Sequence, residues 1–443
     1  GLGTALLWRE ERRTRQEYER AEREHLVAER NFETARTTIL EMGRRVEAIE
    51  TGLADKRGSD LKRKAALDAA RKEFERFAAG NPDDLGLKSQ LAALHRYAGN
   101  VSRLLGDYPE AEAAYEASLA LWDELAKRQP GEASHRDNLA QTLADAATAQ
   151  KRGGRLRAAA TTLDRAAALA EEIKDRVPLA SYQRTLATAL VNRAEVEYRL
   201  GNFEAAERAA GRAVELYDAL KGAPPGQVNP VDRLLAVIAV HARGTALREM
   251  GKLNDALQVL DDGVARAEAL RGAKGSRDVR QYANKTRLAR ATTQARTGKV
   301  TADAVRELGQ VIEGAERLVA DFPQTPAYKE VLTNALILRA EFTTRSAPAQ
   351  AAADFDRALG VTRELIDQFG QQADHIDLRG RAFLGKGRML VSEGKKPEAG
   401  SAFDAAVSVF RTALEKDPDN VHVRRGMEQA ELEARVNPKL AKP

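Results

Sequence analysis

The sequence contains no cysteine among its 443 residues, and only 5% of them are aromatic. The missing cysteines exclude disulfide bonds, thiolate metal sites and cysteine nucleophiles, although they identify no cellular compartment. The six histidines are dispersed, with no His-Glu-x-x-His motif. No carboxylates cluster at the spacing of metal ligands either, so we expect neither a metal centre nor another cofactor.

The apolar segment at the N-terminus is short. Residues 1–8, GLGTALLW, fall far below the roughly 20 residues that cross a bilayer, and they meet the charged segment REERRTRQ abruptly. A spanning helix that ends near Trp8 has this appearance, so we expect a membrane anchor there. A frayed or tag-derived end is the alternative interpretation.

Neither sign of charge dominates. The 71 basic and 66 acidic residues leave a net charge of +5, and no basic run is interleaved with aromatic residues. This mixture is typical of solvated helical surfaces rather than of nucleic-acid binding, so we expect no nucleic-acid partner.

Two series of turn signals run through the rest of the chain. Long turns begin at positions 81, 129, 177, 224, 273, 322, 369 and 417, which lie 47 to 49 residues apart. Between them, short turns are marked by glycine or serine at the positions Gly106, Gly154, Gly201, Gly251, Gly298, Ser346 and Gly394. Because glycine favours the end of a helix and proline cannot continue one, each unit reads as a helical hairpin.

Small and large residues alternate around each short turn. A small residue stands seven positions before it, as in Gly99, Gly244 and Gly387, and a bulky one nine positions after it, as in Tyr115 and Phe403. Small residues let two helices approach while large ones fill the space beside them. The segment LLGDYPEAEAAYEASLAL at 104–121 resembles a tetratricopeptide repeat (TPR), whose usual period of about 34 residues is here 14 longer.

The sequence therefore predicts an all-α fold: a right-handed α-solenoid of long TPR-like hairpins, preceded by a long, coiled-coil-like N-terminal helix. We divide it into the anchor end (1–8), a helical arm and hairpin (9–80), seven repeats (81–417) and a capping helix with its tail (418–443).

Two repeats depart from the pattern. The fifth is shifted by one residue, so that Ala304 and Leu308 take the alanine and bulky positions. The sixth has RSAPAQ in place of the turn glycine and Arg339 in place of the small residue. We expect looser packing there, either as a hinge or as a decayed repeat.

The arm carries seven arginines and seven glutamates within residues 9–30. Apolar residues from Tyr18 onward then recur at alternating spacings of three and four, which predicts a helix that supercoils against a partner. The partner is the helix at 61–79, a second copy of the chain, or none if the arm is a membrane stalk. The seam of a homo-oligomer would include Tyr18, His25, Phe32 and Ile39, with His25 packed rather than bound to metal.

Sequences that mimic catalytic motifs belong to the repeats. His135-Arg136-Asp137 begins like a kinase catalytic loop, but Thr142 stands where the magnesium-binding asparagine belongs. GRAFLGKG at 380–387 resembles a phosphate loop, yet it lies within a predicted helix and has Gly387 in place of Ser or Thr. We expect no catalytic residue, and hence no enzyme, in this chain.

The order of features in residues 1–180 is specific: apolar stub, Arg/Glu-rich helix, AERNFETA, FAAGNPDD, then repeats with SHRDNLA after the proline turn. It is similar to the C-terminal region of planctomycete-type membrane-anchored serine/threonine protein kinases. That resemblance implies a kinase domain upstream of residue 1 and a bacterial array outside the cytoplasmic membrane, in the periplasm. The arginines beside the stub favour the cytoplasm instead.

From this fold we expect a non-catalytic scaffold that binds a protein or peptide on its concave face, as the sensor or interaction region of the kinase-like protein. Candidate ligand contacts on the first helices of the hairpins are Asn100, Arg103, Asp145, Asn192, Glu195, His241, Arg287 and Arg388. The alternative is a self-assembling structural scaffold without a dedicated ligand.

Overall fold

The computed structural model describes residues 59–220, 230–270, 276–298 and 301–437, together with positions 15, 22 and 37. Within these ranges the chain forms sixteen helices. Their bounds are α1 Asp60–Gly80, α2 Leu85–Leu104, α3 Tyr108–Arg128, α4 Ala133–Arg152, α5 Leu156–Glu172, α6 Leu179–Leu200, α7 Phe203–Ala219, α8 Pro230–Glu249, α9 Leu253–Leu270, α10 Arg277–Arg296, α11 Ala302–Asp321, α12 Pro326–Thr343, α13 Pro348–Phe369, α14 Ala373–Ser392, α15 Lys396–Lys416 and α16 Val421–Val436.

Local sequence sets the start of many helices. The side chain of Asp84 accepts a hydrogen bond from the backbone N–H of Leu87, and Thr301 does the same for Ala304. These oxygens satisfy backbone donors that have no partner inside the helix. Proline occupies the first turn of α3, α12, α13 and α15, where its missing N–H costs nothing.

The helices pack in sequence as a TPR-like solenoid with two layers. Each even-numbered helix from α2 to α14 contacts the next even-numbered helix, so these first helices of the hairpins form a continuous layer. The odd-numbered second helices pack on the first helices. The all-α class and the TPR-like solenoid are thus confirmed, whereas the right-handed sense and the domain division stay predictions.

The short turns are built as the sequence predicts. Gly106, Gly154, Gly201, Gly251, Gly298 and Gly394 all have φ between 74° and 86°. Residues with a Cβ rarely adopt this left-handed conformation, so glycine is required at these six turns.

The predicted pairs of small and large residues also meet. A Cβ added to Gly99 would lie 2.7 Å from the Tyr115 ring, and one added to Gly387 would lie 2.4 Å from the Phe403 ring. Both aromatic rings are fully buried. The bare glycine backbone therefore leaves the space in which the ring of the second helix packs.

The expectation of loose packing in the sixth repeat was wrong. Arg339 forms a bidentate ion pair with the buried carboxylate of Asp354, with both nitrogen to oxygen distances at 2.7 Å. Neighbouring Ala335, Leu336 and Ala340 are fully buried. A charged pair thus takes the place of the small residue, while the bulky position, nine residues after Ser346, is still filled by the fully buried Phe355.

Successive turns of the superhelix touch each other. The short turns of the first three hairpins lie against the long turns and helix starts of the last repeats. Gln372 Nε2 donates to the Gly106 carbonyl at 3.0 Å, and His422 stacks on Tyr198 with ring centroids 4.3 Å apart. We call this set of contacts the inter-turn seam. A helix of 20 residues is about 30 Å long, so the tall hairpins bring one turn down onto the next.

Some predictions fall on residues outside those described. They include the anchor end at 1–8, most of the arm, and the oligomer seam of Tyr18, His25, Phe32 and Ile39. The helix expected at 61–79 is α1, and its Leu67 and Phe74 are buried in one cluster with Leu87 and Leu91 of α2. None of the helices in the described part is long and apolar enough to span a membrane.

Gly154 provides a test of the inter-turn seam. A Cβ at this position would lie 2.0 Å from the carbonyl oxygen of Lys416, whereas a Cβ at Gly298 would have open space around it. Both glycines have positive φ, so alanine at either costs about 1 kcal/mol of backbone strain. We expect Gly154→Ala to lower the melting temperature clearly more than Gly298→Ala, and to enlarge the radius of gyration in X-ray scattering. Equal effects of the two variants would contradict the seam.

Candidate functional site

Charged side chains collect inside the superhelix where one turn meets the next. Lys151 and Arg152 lie in the last turn of α4, and Arg199 in the last turn of α6. Asp374 lies in the first turn of α14, and Glu330 is close to the start of α12. Because helix ends carry partial charges, negative at the C-terminus and positive at the N-terminus, these signs stabilise the helices that bear them.

The same residues pair across the seam. Arg152 Nη1 lies 3.1 Å from the Glu330 carboxylate and 2.7 Å from Asp374 Oδ2. Arg199 Nη2 donates to the same Asp374 oxygen at 2.8 Å, and Arg199 Nη1 lies 3.6 Å from the buried carboxylate of Asp417. Two arginines of the second and third repeats thereby hold carboxylates of the sixth and seventh.

Their pKa values show how strongly the pairs favour the ionised carboxylates. Burial by itself would raise the pKa of Glu330, but Arg152 lowers that pKa to about 2. Burial also opposes ionisation of Asp374, yet Arg199 and Arg152 hold its pKa well below the usual range. For Asp417 burial prevails and raises the pKa. Opposite charges at close range outweigh desolvation at the first two carboxylates.

Four more side chains extend this group along the interior. Lys151 pairs with Glu195 of α6, whose side chain nevertheless keeps 36% of its surface exposed. Lys285 of α10 places its ammonium 4.9 Å from the centre of the Tyr282 ring. His241 of α8 is close enough to Lys285 and Glu195 for both to influence its pKa. Solvent therefore reaches the Glu195 side chain inside the superhelix.

Burial also acts on the pKa values of His241, Lys285 and Glu195. It lowers the pKa of His241 to about 4, with Lys285 adding to the effect, so the imidazole is neutral at pH 7. Burial and Arg152 lower the pKa of Lys285. Burial opposes ionisation of Glu195, but Lys151 lowers its pKa to about 2.

We define the interior cluster by its side chains from the first helices of six successive repeats. Its members are Lys151, Arg152, Glu195, Arg199, His241, Tyr282, Lys285, Glu330 and Asp374. Within the described ranges no group of histidine and acidic residues is arranged to hold a metal ion. The arrangement offers charged and hydrogen-bonding groups to a ligand, without an evident nucleophile and base pair.

Two of the eight predicted contact residues, Glu195 and His241, belong to the interior cluster. Arg103 is adjacent to it, because it donates to the Tyr115 hydroxyl at 3.3 Å and influences the pKa of Tyr282. Asn100 accepts a hydrogen bond from the same hydroxyl at 2.8 Å.

The other four predicted residues make contacts between helices. Asp145 accepts from Arg96 at 2.7 Å, and Asn192 donates to a backbone carbonyl of α4 at 3.3 Å. Arg287 pairs with Glu268 of the outer helix α9 at 2.7 Å. Arg388 pairs with Glu433 of α16 at 3.0 Å. Their side chains join neighbouring helices, and a role for any of the eight in ligand binding stays a prediction.

Sequence reasoning missed the remaining members of the cluster for a geometric reason. In the early repeats the members stand at the ends of first helices, whereas in the later repeats they stand near the starts. A search at one fixed repeat position therefore cannot find them. Basic residues at the ends of α4 and α6 were visible, but helix-dipole effects explain such residues equally well.

A cavity of about 520 Å³ lies outside the cluster, between α11, α12 and α13. Its floor includes Val319, Leu332 and Val361, and ion pairs of Lys329 with Glu364 and of Arg357 with Glu316 lie at its rim. These rim charges are mutually satisfied, so the cavity offers mainly an apolar surface.

Arg152 can be tested against an exposed arginine that also crosses the seam. Arg152→Met leaves Glu330 and Asp374 short of a cation in a buried site, which typically costs roughly 3 kcal/mol. Arg157 pairs with Asp419 across the same seam but has a side chain that is 81% exposed, so Arg157→Met should change stability far less. Chemical denaturation measures both, and similar losses would contradict the seam's reliance on Arg152.

Asp377 of α14 should respond to pH in the opposite sense to Glu330. Burial raises the pKa of Asp377 from 3.8 to about 6. The protonated carboxyl therefore stabilises the fold below pH 3.8, and this stabilisation is lost as the pH rises through about 6. Glu330 stabilises the fold above 4.5 and loses this effect as pH falls towards 2. We expect Asp377→Asn to raise the melting temperature at pH 7.5 and leave it unchanged at pH 4, whereas Glu330→Gln should lower it at pH 7.5. A loss for both variants would contradict these environments.

Comparison with known proteins identifies the fold. No protein-family model and no curated protein matches the sequence. The structure is similar to the apo form of RapI, with a TM-score of 0.50 and 10% identity over 73% of this chain and 99% of that chain. A Rap protein complexed with Competence and Sporulation Factor has a TM-score of 0.49 and 12% identity, over 91% of this chain and 99% of that chain. A tetratricopeptide repeat protein from Parabacteroides merdae has a TM-score of 0.33 and 14% identity, over 77% of this chain and 98% of that chain. At these identities the likeness concerns the fold alone, and the chain is a TPR-like helical repeat protein.

Proposed function

We propose that the chain is a non-catalytic binding module that holds a segment of protein or peptide inside the superhelix. The observation that carries this proposal is the interior cluster. Its polar groups lie inside the superhelix, and several of them remain partly accessible to solvent. Helical repeat proteins use such concave layers of first helices to bind extended ligands. The first helices of six repeats contribute side chains to one such surface here.

The polar groups of the interior support binding because several lack partners within the described protein. The buried Nδ1 of His241 makes no hydrogen bond there. Unpaired buried polar groups are rare in folded proteins, since each costs about 1–3 kcal/mol of desolvation. A ligand that supplies the missing partners recovers part of that free energy on binding.

The enclosed shape favours a narrow and flexible ligand. The inter-turn seam joins the early repeats to the late ones through Arg152 and Arg199, so a folded domain cannot approach the cluster from the side of the seam. A polypeptide segment can extend along the interior while its side chains reach polar groups of successive repeats.

The order of features in residues 1–180 supports a more specific proposal about the biological setting. It is similar to the C-terminal region of membrane-anchored kinases, so we include in the proposal that this module is the extracytoplasmic sensor or interaction region of a kinase-like protein. The coding sequence upstream of Gly1 tests this part, which requires both a spanning helix and a kinase domain there.

Selection from a random peptide phage library against the full chain tests the binding function. We expect peptides that bind more tightly than about 100 µM in a ratio of one to one. Tyr282→Ala should weaken this binding at least tenfold, as loss of an aromatic contact does at many interfaces. Arg208→Ala, an exposed site on the outer helix α7, should leave binding unchanged.

Failure to select any peptide would argue against a binding module, as would binding that is indifferent to Tyr282→Ala. Light scattering of chains 1–443 and 55–443 then tests the structural alternative. A self-assembling scaffold requires an oligomer for the longer chain and a monomer for the shorter one.

A further inference from the structure

We propose that the buried ion pair between Asp60 and Arg277 is a latch that ties the start of α1 to α10, and that α10 is the joint at which the two turns of the superhelix move apart. Movement between the turns is then passed to α1, and so to the N-terminal arm, because residues 9–58 join the superhelix there. The inference requires no ligand and goes beyond the proposed binding function.

Charged side chains hold the start of α1. Arg277 Nη1 donates to both oxygens of the Asp60 carboxylate, at 3.0 and 2.8 Å, and Arg63 Nη1 donates to the same carboxylate at 2.9 Å. The guanidinium of Arg277 also lies 4.8 Å from the centre of the Phe322 ring, just after α11. The side chains of Asp60 and Arg277 keep only 5% and 4% of their surface exposed. Such a pair persists because loss of either partner leaves a costly buried charge.

The latch continues the row of contacts in the inter-turn seam. α1 packs against α2, and Lys64 Nζ donates to Ser102 Oγ at 3.2 Å, so the start of α1 lies beside the end of α2. The turn that follows α2 rests on the start of α12, where a Cβ added to Gly106 would lie 3.1 Å from Pro326. The start of α1 is therefore held where one turn of the superhelix meets the next.

α10 is a polar joint between two larger apolar cores. Its 20 residues include five arginines, and Gln281, Asn284 and Thr286 occupy buried positions. Among the described residues it adds only the half-buried Leu288 to the core of α11–α16. Its own buried apolar residues belong to two clusters with three buried members each. Segments with few buried apolar contacts open at low cost, so the superhelix separates at α10 more easily than within either turn.

The latch lies on this joint. Helices α1–α8 form one body and α11–α16 another, and the contacts of the seam that join them are largely charged or polar. When these contacts release, α10 turns relative to α1, and Arg277 carries that rotation to Asp60. Coupling between distant parts requires a physical element with two arrangements, and the closed and released seam provide them.

Amide hydrogen exchange of the full chain at pH 7.5 tests the latch. Arg277→Met should speed exchange in residues 64–74 of α1 about tenfold, because it frees the start of that helix while Arg63 still neutralises Asp60. Arg280→Met is the matched control on α10, since that side chain is 35% exposed and pairs with Asp321 at 3.6 Å. It should leave exchange in α1 unchanged.

Arg152→Met tests the coupling, because Arg152 contacts Glu330 and Asp374 of the seam. We expect this variant also to speed exchange about tenfold in residues 64–74 and in α10, whereas the exposed Arg157→Met should not. The double variant with Arg277→Met should exchange no faster in α1 than Arg277→Met alone, because both changes break one link. Residues 400–412 of the outer helix α15 report global unfolding and should stay protected.

The inference is overturned if either Arg277→Met or Arg152→Met leaves exchange in α1 unchanged, or if their effects add in the double variant. Asp60→Asn is a milder change at the same contact. If Arg277→Met also deprotects α15, Asp60→Asn must speed exchange in α1 alone, and failure to do so equally overturns the latch. Peptide selection by phage display reports separately on the binding function, which stands or falls without regard to this ion pair.

Discussion

Pairing of opposite charges between the two ends of the superhelix is the interaction on which the interior depends. Arg152 and Arg199 end first helices of the second and third repeats, and they hold Glu330 and Asp374 near the starts of α12 and α14. Each charge also has the sign that its own helix end favours. The pairs are partly buried, so their strength depends on keeping both partners, and loss of one partner leaves a costly unpaired charge.

This seam explains why the interior combines enclosure with polarity. Hairpins of about 48 residues are tall enough for one turn to rest on the next, and Gly154 lets the backbone of residues 416 and 417 approach without a Cβ in the way. The seam encloses the first helices and brings charged residues of distant repeats together. An open solenoid of the same repeats would expose these groups separately to water.

Pairing within the interior is incomplete, and the incompleteness points to a ligand. The carboxylates have arginine or lysine partners, whereas the ammonium of Lys285 has an aromatic ring. A protein selected for stability alone has little reason to keep such a cation in a partly buried place, because burial of an unpaired charge is unfavourable. Polar groups that lack partners within the protein are typical of binding sites rather than of structural cores.

Local physics let the sequence by itself determine the helices, the turn glycines and the packing of small against large residues. Positive φ at Gly106 requires glycine, and Tyr115 fills the space that Gly99 leaves, so these features follow from neighbours within one hairpin. The prediction of loose packing at Arg339 was wrong, because an ion pair with Asp354 joins the two helices where a small residue does so in other repeats. Only the tertiary structure decided which charged residues meet. The rise of the superhelix sets Arg152 beside Glu330, 178 residues away, and a repeat pattern contains no information about the offset between successive turns.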